Sequence, residues 1–224
     1  MTLGPLRLII FDVDGTLVDS QADILASMAA GFAAGDVPVP ERAAILSIVG
    51  MSLEKAIPVL APDASAATHA VIVDGYKSAY QRLRAEKGAA SSPFYPGVRD
   101  TLEHLFNVPE YLVGVATGKS RRGLTALLDS HGLTGRFVTE QVADFHPSKP
   151  HPAMIHAALS ETGVEPENAV MVGDTTFDMD MARAAGIGTI GVSWGYHSPD
   201  KLNADVTLTQ MTDLPAALKT IWRD

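Results

Sequence analysis

The run Leu8-Ile9-Ile10-Phe11-Asp12-Val13-Asp14-Gly15-Thr16-Leu17-Val18-Asp19-Ser20 sets the reading of the whole chain. Four consecutive apolar residues stop at a charge, and a second carboxylate follows two positions later. A short unbroken apolar run reads as a strand covered on both faces, the kind found in parallel sheets. Asp and Gly also favour ordinary turns, so Asp12 and Asp14 take chemical meaning only from what else gathers at the same edge. Three further runs have the same character: Leu112 to Ala116, Ala169 to Val172 and Ile187 to Val192. Helical periodicity lies between them. Val98, Leu102, Leu105 and Phe106 share a face, as do Leu124, Leu127 and Leu128, and then Met154, Ile155, Ala158 and Leu159. Gly132, Gly163 and Gly186 follow these segments where C-terminal caps belong. This alternation predicts an α/β fold, a doubly wound parallel sheet with a Rossmann-like core.

One stretch breaks the alternation. From about Ser20 to Lys87 there is helical periodicity and no strand between the helices. Ile24, Leu25, Met28 and Phe32 form one stripe; Leu53, Ala56, Ile57 and Leu60 form another; a third runs through Ile72, Tyr76, Ala79, Tyr80 and Leu83, with its tyrosines read as core. The expectation is an α-helical cap inserted after strand one, covering residues 18–90, on a catalytic core of residues 1–17 and 91–224. Gly88-Ala89-Ala90-Ser91-Ser92-Pro93 is the return linker.

The chain's 224 residues are enough to bury a proper core without staples. A net charge of -9 excludes a concentrated basic face for nucleic acid. The absence of cysteine removes disulfides, zinc-thiolate sites and thiol nucleophiles together. The leading apolar run is too short for a membrane helix or a signal-peptide core, so no membrane association and a cytoplasmic location are expected. A monomer and a homodimer both stay open.

In an open parallel sheet, ligands bind beyond the carboxyl ends of the strands. Strand one ends in Asp12-Val13-Asp14-Gly15-Thr16, and the second major strand in Thr117-Gly118-Lys119-Ser120. The strand from Ala169 ends in Gly173-Asp174-Thr175-Thr176-Phe177-Asp178, and Lys149 sits in the loop His146-Pro147-Ser148-Lys149-Pro150-His151-Pro152. Four carboxylates, one hydroxyl and one ammonium then converge on one edge. Carboxylates held together repel unless protonated or neutralised. A divalent cation resolves this, and an all-oxygen donor set favours Mg²⁺. With a lysine and a hydroxyl beside it, such a site suits a phosphoryl group, which a carboxylate can attack once cations offset the repulsion between two anions.

Taken in order, these four segments resemble the four motifs of the haloacid-dehalogenase-like superfamily of hydrolases, in its phosphatase branch. Phe11 to Ser20 is similar to the first motif, Ala116-Thr117-Gly118 to the second, Lys149-Pro150 to the third and Gly173 to Asp178 to the fourth. Tyr95-Pro96-Gly97-Val98 and Ser193-Trp194-Gly195-Tyr196 most resemble phosphoglycolate-phosphatase-like members with a small helical cap. The resemblance implies Mg²⁺-dependent hydrolysis of a small-metabolite phosphate monoester. Asp12 would be the nucleophile and a metal ligand. Asp14 would be the acid and base, with its backbone carbonyl on the metal. Thr117, with Gly118, would bind the phosphoryl oxygens. Lys149 would neutralise phosphoryl charge and orient Asp12, Asp174 would bind the metal, and Asp178 would bind or support it.

Other readings fare worse. Dehalogenation within the family does without the second aspartate that Asp14 supplies. Phosphonate cleavage uses a cap lysine, and the surroundings of Lys55 do not match it. A phosphomutase of the family places an arginine near Gly50 to Leu53, where this chain has none. A non-catalytic phospho-aspartate module is shorter and has no cap. Lys119, Arg121 and Arg122 are read as a solvated helix start, with substrate contact as the alternative. Asp19, Ser20 and Asp23 are read as starting the first cap helix. Gly50-Met51-Ser52 is either a loop entering the site or a turn. The seven histidines show no metal-ligand spacing, and His146 and His151 earn only a minor role as neighbours of Lys149.

Overall fold

The computed structural model describes residues 4–223. Six parallel strands form one sheet: β1 (Arg7–Phe11), β2 (Tyr111–Thr117), β3 (Thr139–Val142), β4 (Ala169–Gly173), β5 (Gly188–Val192) and β6 (Val206–Leu208). Their order is β3-β2-β1-β4-β5-β6. The chain therefore winds outward from β1 in one direction and then from β4 in the other. The crevice where the order reverses lies between β1 and β4, beyond their carboxyl ends.

Strand β1 shows why an unbroken apolar run is needed. Side chains alternate across a strand, and here both directions lead into core. Ile9 and Phe11 join Val113, Val115, Val170 and Ile190 under helices α5 (Val98–Phe106), α6 (Arg121–Ser130) and α10 (Leu214–Trp222). Leu8 and Ile10 face the other way, onto α7 (Ala153–Thr162) and α8 (Thr176–Ala184). A polar residue at any position from Leu8 to Phe11 would lie in one apolar layer or the other. A short helix, α9 (Pro199–Leu202), precedes β6.

Between β1 and α5 lie α1 (Gln21–Ala34), α2 (Arg42–Ser47), α3 (Leu53–Leu60) and α4 (Ala66–Lys87). They bury their own apolar cluster, with Met28, Phe32, Ile57 and Ile72 at its centre. The two connections into and out of this helical segment run side by side. Asp19 N donates to Pro93 O at 2.8 Å and Tyr95 N to Leu17 O at 3.0 Å. Asp23, read from sequence as a simple helix-start residue, is buried and pairs with Lys87 at 2.6 Å as well as accepting from Ser91 Oγ. The first turn of α1 is thus tied to the end of α4. No helix among the described residues is long and apolar enough to cross a membrane.

Candidate active site

The carboxyl ends of β1, β2 and β4 bring Asp12, Thr117 and Asp174 to one crevice, and the loop before α7 brings Lys149 in from the side. Asp12 is held by the sheet itself, its N–H donating to Val172 O at 2.9 Å. Gly15 turns the chain with φ +84°, a left-handed conformation that favours glycine, and a Cβ there would run into the Asp174 carboxylate. Glycine at position 15 is therefore a packing requirement.

Lys149 is fully buried, its ammonium 2.9 Å from Asp12 Oδ1 and 2.7 Å from Asp178 Oδ1. The contact with Asp178 is a hydrogen bond, whereas the one with Asp12 is a close charge pair off the hydrogen-bonding direction, leaving Asp12 Oδ1 buried without a donor. Burial pushes the Asp12 carboxyl up to about 7; Lys149 pulls it down, and Asp178 adds to the rise. Burial, then Asp178 and Asp12, hold the Asp174 carboxyl well above the usual carboxylate range. Burial alone would lower the Lys149 pKa, but Asp12 and Asp178 outweigh it and the net shift is upward. The cluster is short of positive charge.

Asp12, Asp174 and Asp178 each offer a carboxylate oxygen, all within 4.8 Å of one another. The unpartnered Asp12 oxygen and the all-oxygen donor set fit a hard divalent cation. Asp174 is aimed by Thr16 Oγ1 at 2.9 Å and by the Tyr196 N–H at 2.8 Å. Asp178 is more committed. Its Oδ1 accepts from Lys149, and its Oδ2 accepts from Thr175 N at 3.0 Å and Thr175 Oγ1 at 2.7 Å, closing a capping box at the start of α8. Asp178 thus takes three protein donors where Asp174 takes two, and it ties the cluster to Lys149 and to the cap of α8.

The Asp14 carboxylate lies outside that cluster. It receives the Ser20 hydroxyl and pairs with Lys119 Nζ at 2.8 Å. Lys119 therefore corrects the reading of a solvated helix start: its side chain is only 9% exposed, and its ammonium also donates to Tyr80 Oη at 3.1 Å. A signal for this was present. Cations at a helix N-terminus oppose the macrodipole, so a lysine placed just before α6 needs a compensating anion. Tyr80 and Tyr76, read as core, do pack against the apolar cluster of the helical segment, but they are half-buried and also face this cavity. Ser20 and Tyr196 were also missed as partners of the aspartates; their hydroxyls lie 3.1 Å apart.

Thr117 is buried at the end of β2, while the N-cap of α6 is Ser120, which accepts from Gly123 N. Arg121 is engaged by Glu140 and its N–H by Asp144. His146 bonds Gln141 and His151 accepts from Ala153 N, so both are used within their loop. The segment Gly50-Met51-Ser52 does reach the site: Gly50 and Met51 line the cavity, and Ser52 N donates to Ser148 Oγ at 2.9 Å. A Cβ on Gly118 would lie 2.7 Å from Gly50 O and 3.1 Å from Met51 O. Gly118→Ala should push that loop away and lower kcat/KM by about 10- to 100-fold with the melting temperature nearly kept. Steady-state kinetics beside a thermal melt checks this, and unchanged kinetics would mean the loop contact is dispensable.

The haloacid dehalogenase-like hydrolase family model matches residues 9–192. This chain belongs to the haloacid dehalogenase-like hydrolases. It is 38% identical over 204 residues to the "Probable phosphatase IndB" of Dickeya dadantii, covering 88% of this chain and 85% of that one. With a phosphoglycolate phosphatase of Chromobacterium violaceum the identity is 34%, over 98% of this chain and 99% of the relative. A haloacid dehalogenase-like hydrolase from Streptococcus pneumoniae superposes with a TM-score of 0.80 at 28% identity, covering 95% and 98%. The chain is an enzyme of this family, a phosphatase with a six-stranded α/β core.

Proposed function

We propose that this phosphatase hydrolyses a small-metabolite phosphate monoester through an aspartyl-phosphate on Asp12, with Mg²⁺ as its metal. The observation that carries the reading is Lys149, an ammonium buried between Asp12 and Asp178 with one Asp12 oxygen left without a donor. A carboxylate can approach a phosphoryl dianion only where fixed positive charge offsets the repulsion.

Asp12 attacks phosphorus, and the bond from phosphorus to the leaving oxygen breaks. Asp14 gives that oxygen its proton and then takes one from the water that attacks the aspartyl-phosphate, releasing inorganic phosphate and restoring Asp12. The Thr117 hydroxyl, which accepts from the Lys119 N–H at 3.2 Å, and the Gly118 backbone before α6 hold phosphoryl oxygens. Asp12, Asp174 and the Asp14 carbonyl would hold Mg²⁺, with Asp178 in support. When bound, the ion supplies the positive charge that the carboxylate cluster lacks and the phosphoryl group needs.

Residues 18–90 act as the cap and residues 1–17 and 91–224 as the core. The paired strands of chain at Leu17–Gln21 and Gly88–Pro93 serve as the hinge that opens the site to substrate and closes it against bulk water. A small phosphate ester is the partner, with no nucleic acid or membrane, in the cytoplasm. The name of the Chromobacterium relative makes phosphoglycolate the reference substrate.

Phosphate release from a panel of metabolite phosphates tests this, with Mg²⁺ and with a chelator. Chelation should abolish release and added Mg²⁺ restore it. Asp14→Asn should slow hydrolysis of alkyl esters by about 10² to 10⁴-fold. The loss should shrink for p-nitrophenyl phosphate in the step that forms the acyl-phosphate, because that leaving group needs no proton. Equal losses of that step for both ester types would remove Asp14 from the acid role.

A further inference from the structure

The cavity next to Asp12 and Asp14 has a volume of about 140 Å³, and the wall that α1 to α3 contribute is apolar. Ile24 and Met28 come from α1, Ile48 and Val49 from the turn after α2, and Leu53 and Ala56 from α3. These side chains offer nothing to a hydroxyl or a carboxylate. They favour a hydrocarbon surface, by about fourfold in binding for each methylene covered.

Charge enters the cavity elsewhere, through Lys77, Arg84, Lys119 and Arg122. Lys119 is paired with Asp14, and Lys77 with Glu54 at 3.0 Å. Arg122 is exposed to solvent. Arg84 differs from all three. It is half-buried on α4, has no carboxylate partner among the described residues, and makes a single long hydrogen bond, Nη1 to Gly123 O at 3.4 Å. A guanidinium that has given up part of its water and found no anion is suited to a planar anionic group, which it can hold through two parallel N–H bonds.

We infer that this cavity selects a phosphate monoester whose leaving group has an apolar body of several carbons and ends in a carboxylate bound by Arg84. The inference rests on the phosphatase reading of the Asp12 site and names the substrate class for it. Phosphoglycolate carries both anions but only one methylene between them, too little hydrocarbon to cover the wall from Ile24 to Ala56. The preference of this chain therefore departs from the substrate for which its Chromobacterium relative is named.

A homologous series of ω-phosphonooxy carboxylates tests it on the full chain with Mg²⁺. Phosphoglycolate is the shortest member, followed by the four-carbon and six-carbon acids, with n-hexyl phosphate as the control that lacks the carboxylate. All are alkyl esters, so their intrinsic reactivities are close. The value of kcat/KM should rise by about fourfold per added methylene until the cavity is filled. The six-carbon acid should exceed hexyl phosphate by at least about tenfold, and Arg84→Gln should shrink that ratio below about threefold. Phosphoglycolate as the best of the series, hexyl phosphate equal to the six-carbon acid, or a ratio that survives Arg84→Gln each overturns the inference and leaves the chemistry at Asp12 standing. Phosphate release from none of them, nor from p-nitrophenyl phosphate, overturns the phosphatase reading and the selectivity with it.

Discussion

Asp12→Asn is expected to stop turnover, by at least about 10⁴-fold in kcat, while leaving the protein as stable as the parent or more so. The two halves of this expectation have separate causes. Asparagine keeps the shape of the side chain but has no charged oxygen to form an acyl-phosphate. Stability follows from the site's charge balance. Burial and the nearby Asp178 already push the Asp12 carboxyl up to about 7, against the pull of Lys149. A neutral amide removes that desolvation and repulsion. Lys149 keeps its 2.7 Å hydrogen bond to Asp178, so no buried cation is left alone. Measurements of kcat and of phosphate trapped on protein by acid quench check the first half, and the melting temperature checks the second. Activity within tenfold of the parent removes Asp12 from the nucleophile's place; a large drop in melting temperature assigns it a structural role instead.

The sequence disclosed most of the sheet and half of the site's wiring, and the division has physical causes. Strands β1, β2, β4 and β5 are covered on both faces, which forces unbroken apolar runs that can be read directly. Strand β3 went unseen because it is Thr139-Glu140-Gln141-Val142, at one edge of the sheet. Its buried Thr139 and Gln141 are satisfied by Glu161 on α7, through bonds of 2.5 and 2.8 Å, a pairing across 22 and 20 positions that no local pattern reveals. Strand β6 has three residues, at the opposite edge, too few for a period to show. Asp12 and Asp174 were legible because each directly follows a strand, and Asp14 and Asp178 because they stand close behind them in the chain. Lys119 was legible only in its need for an anion before α6; its burial depends on Tyr80, which α4 brings over the edge of the sheet from far away in sequence. Contacts made between the helical segment and the sheet have no signature within either.

Lys149→Met should cost the metal-free protein about 3 to 5 kcal/mol of stability, and activity should fall by about 10³-fold or more. Methionine keeps much of the apolar stem, so the change isolates the ammonium from the packing. Among the described residues that ammonium is the one cation between Asp12 and Asp178, and the side chains of all three are buried to within 2% exposure. Removing it strands carboxylates that lie within 4.8 Å of one another. Breaking a buried pair from one side is far more harmful than never having had it, because the remaining charge has neither water nor a partner. Mg²⁺ provides the discriminating measurement. An ion that binds the folded state stabilises it in proportion to the logarithm of its concentration over its Kd, and a more negative site should gain more from it. The gap in melting temperature between parent and variant should therefore narrow as Mg²⁺ is raised. Activity should not recover in step, since the metal replaces charge but not the contact that fixes Asp12 against Asp178. Equal melting temperatures without metal would mean that the carboxylates are already neutral in the folded protein. Parallel recovery of stability and turnover would reduce Lys149 to a charge that any cation can replace.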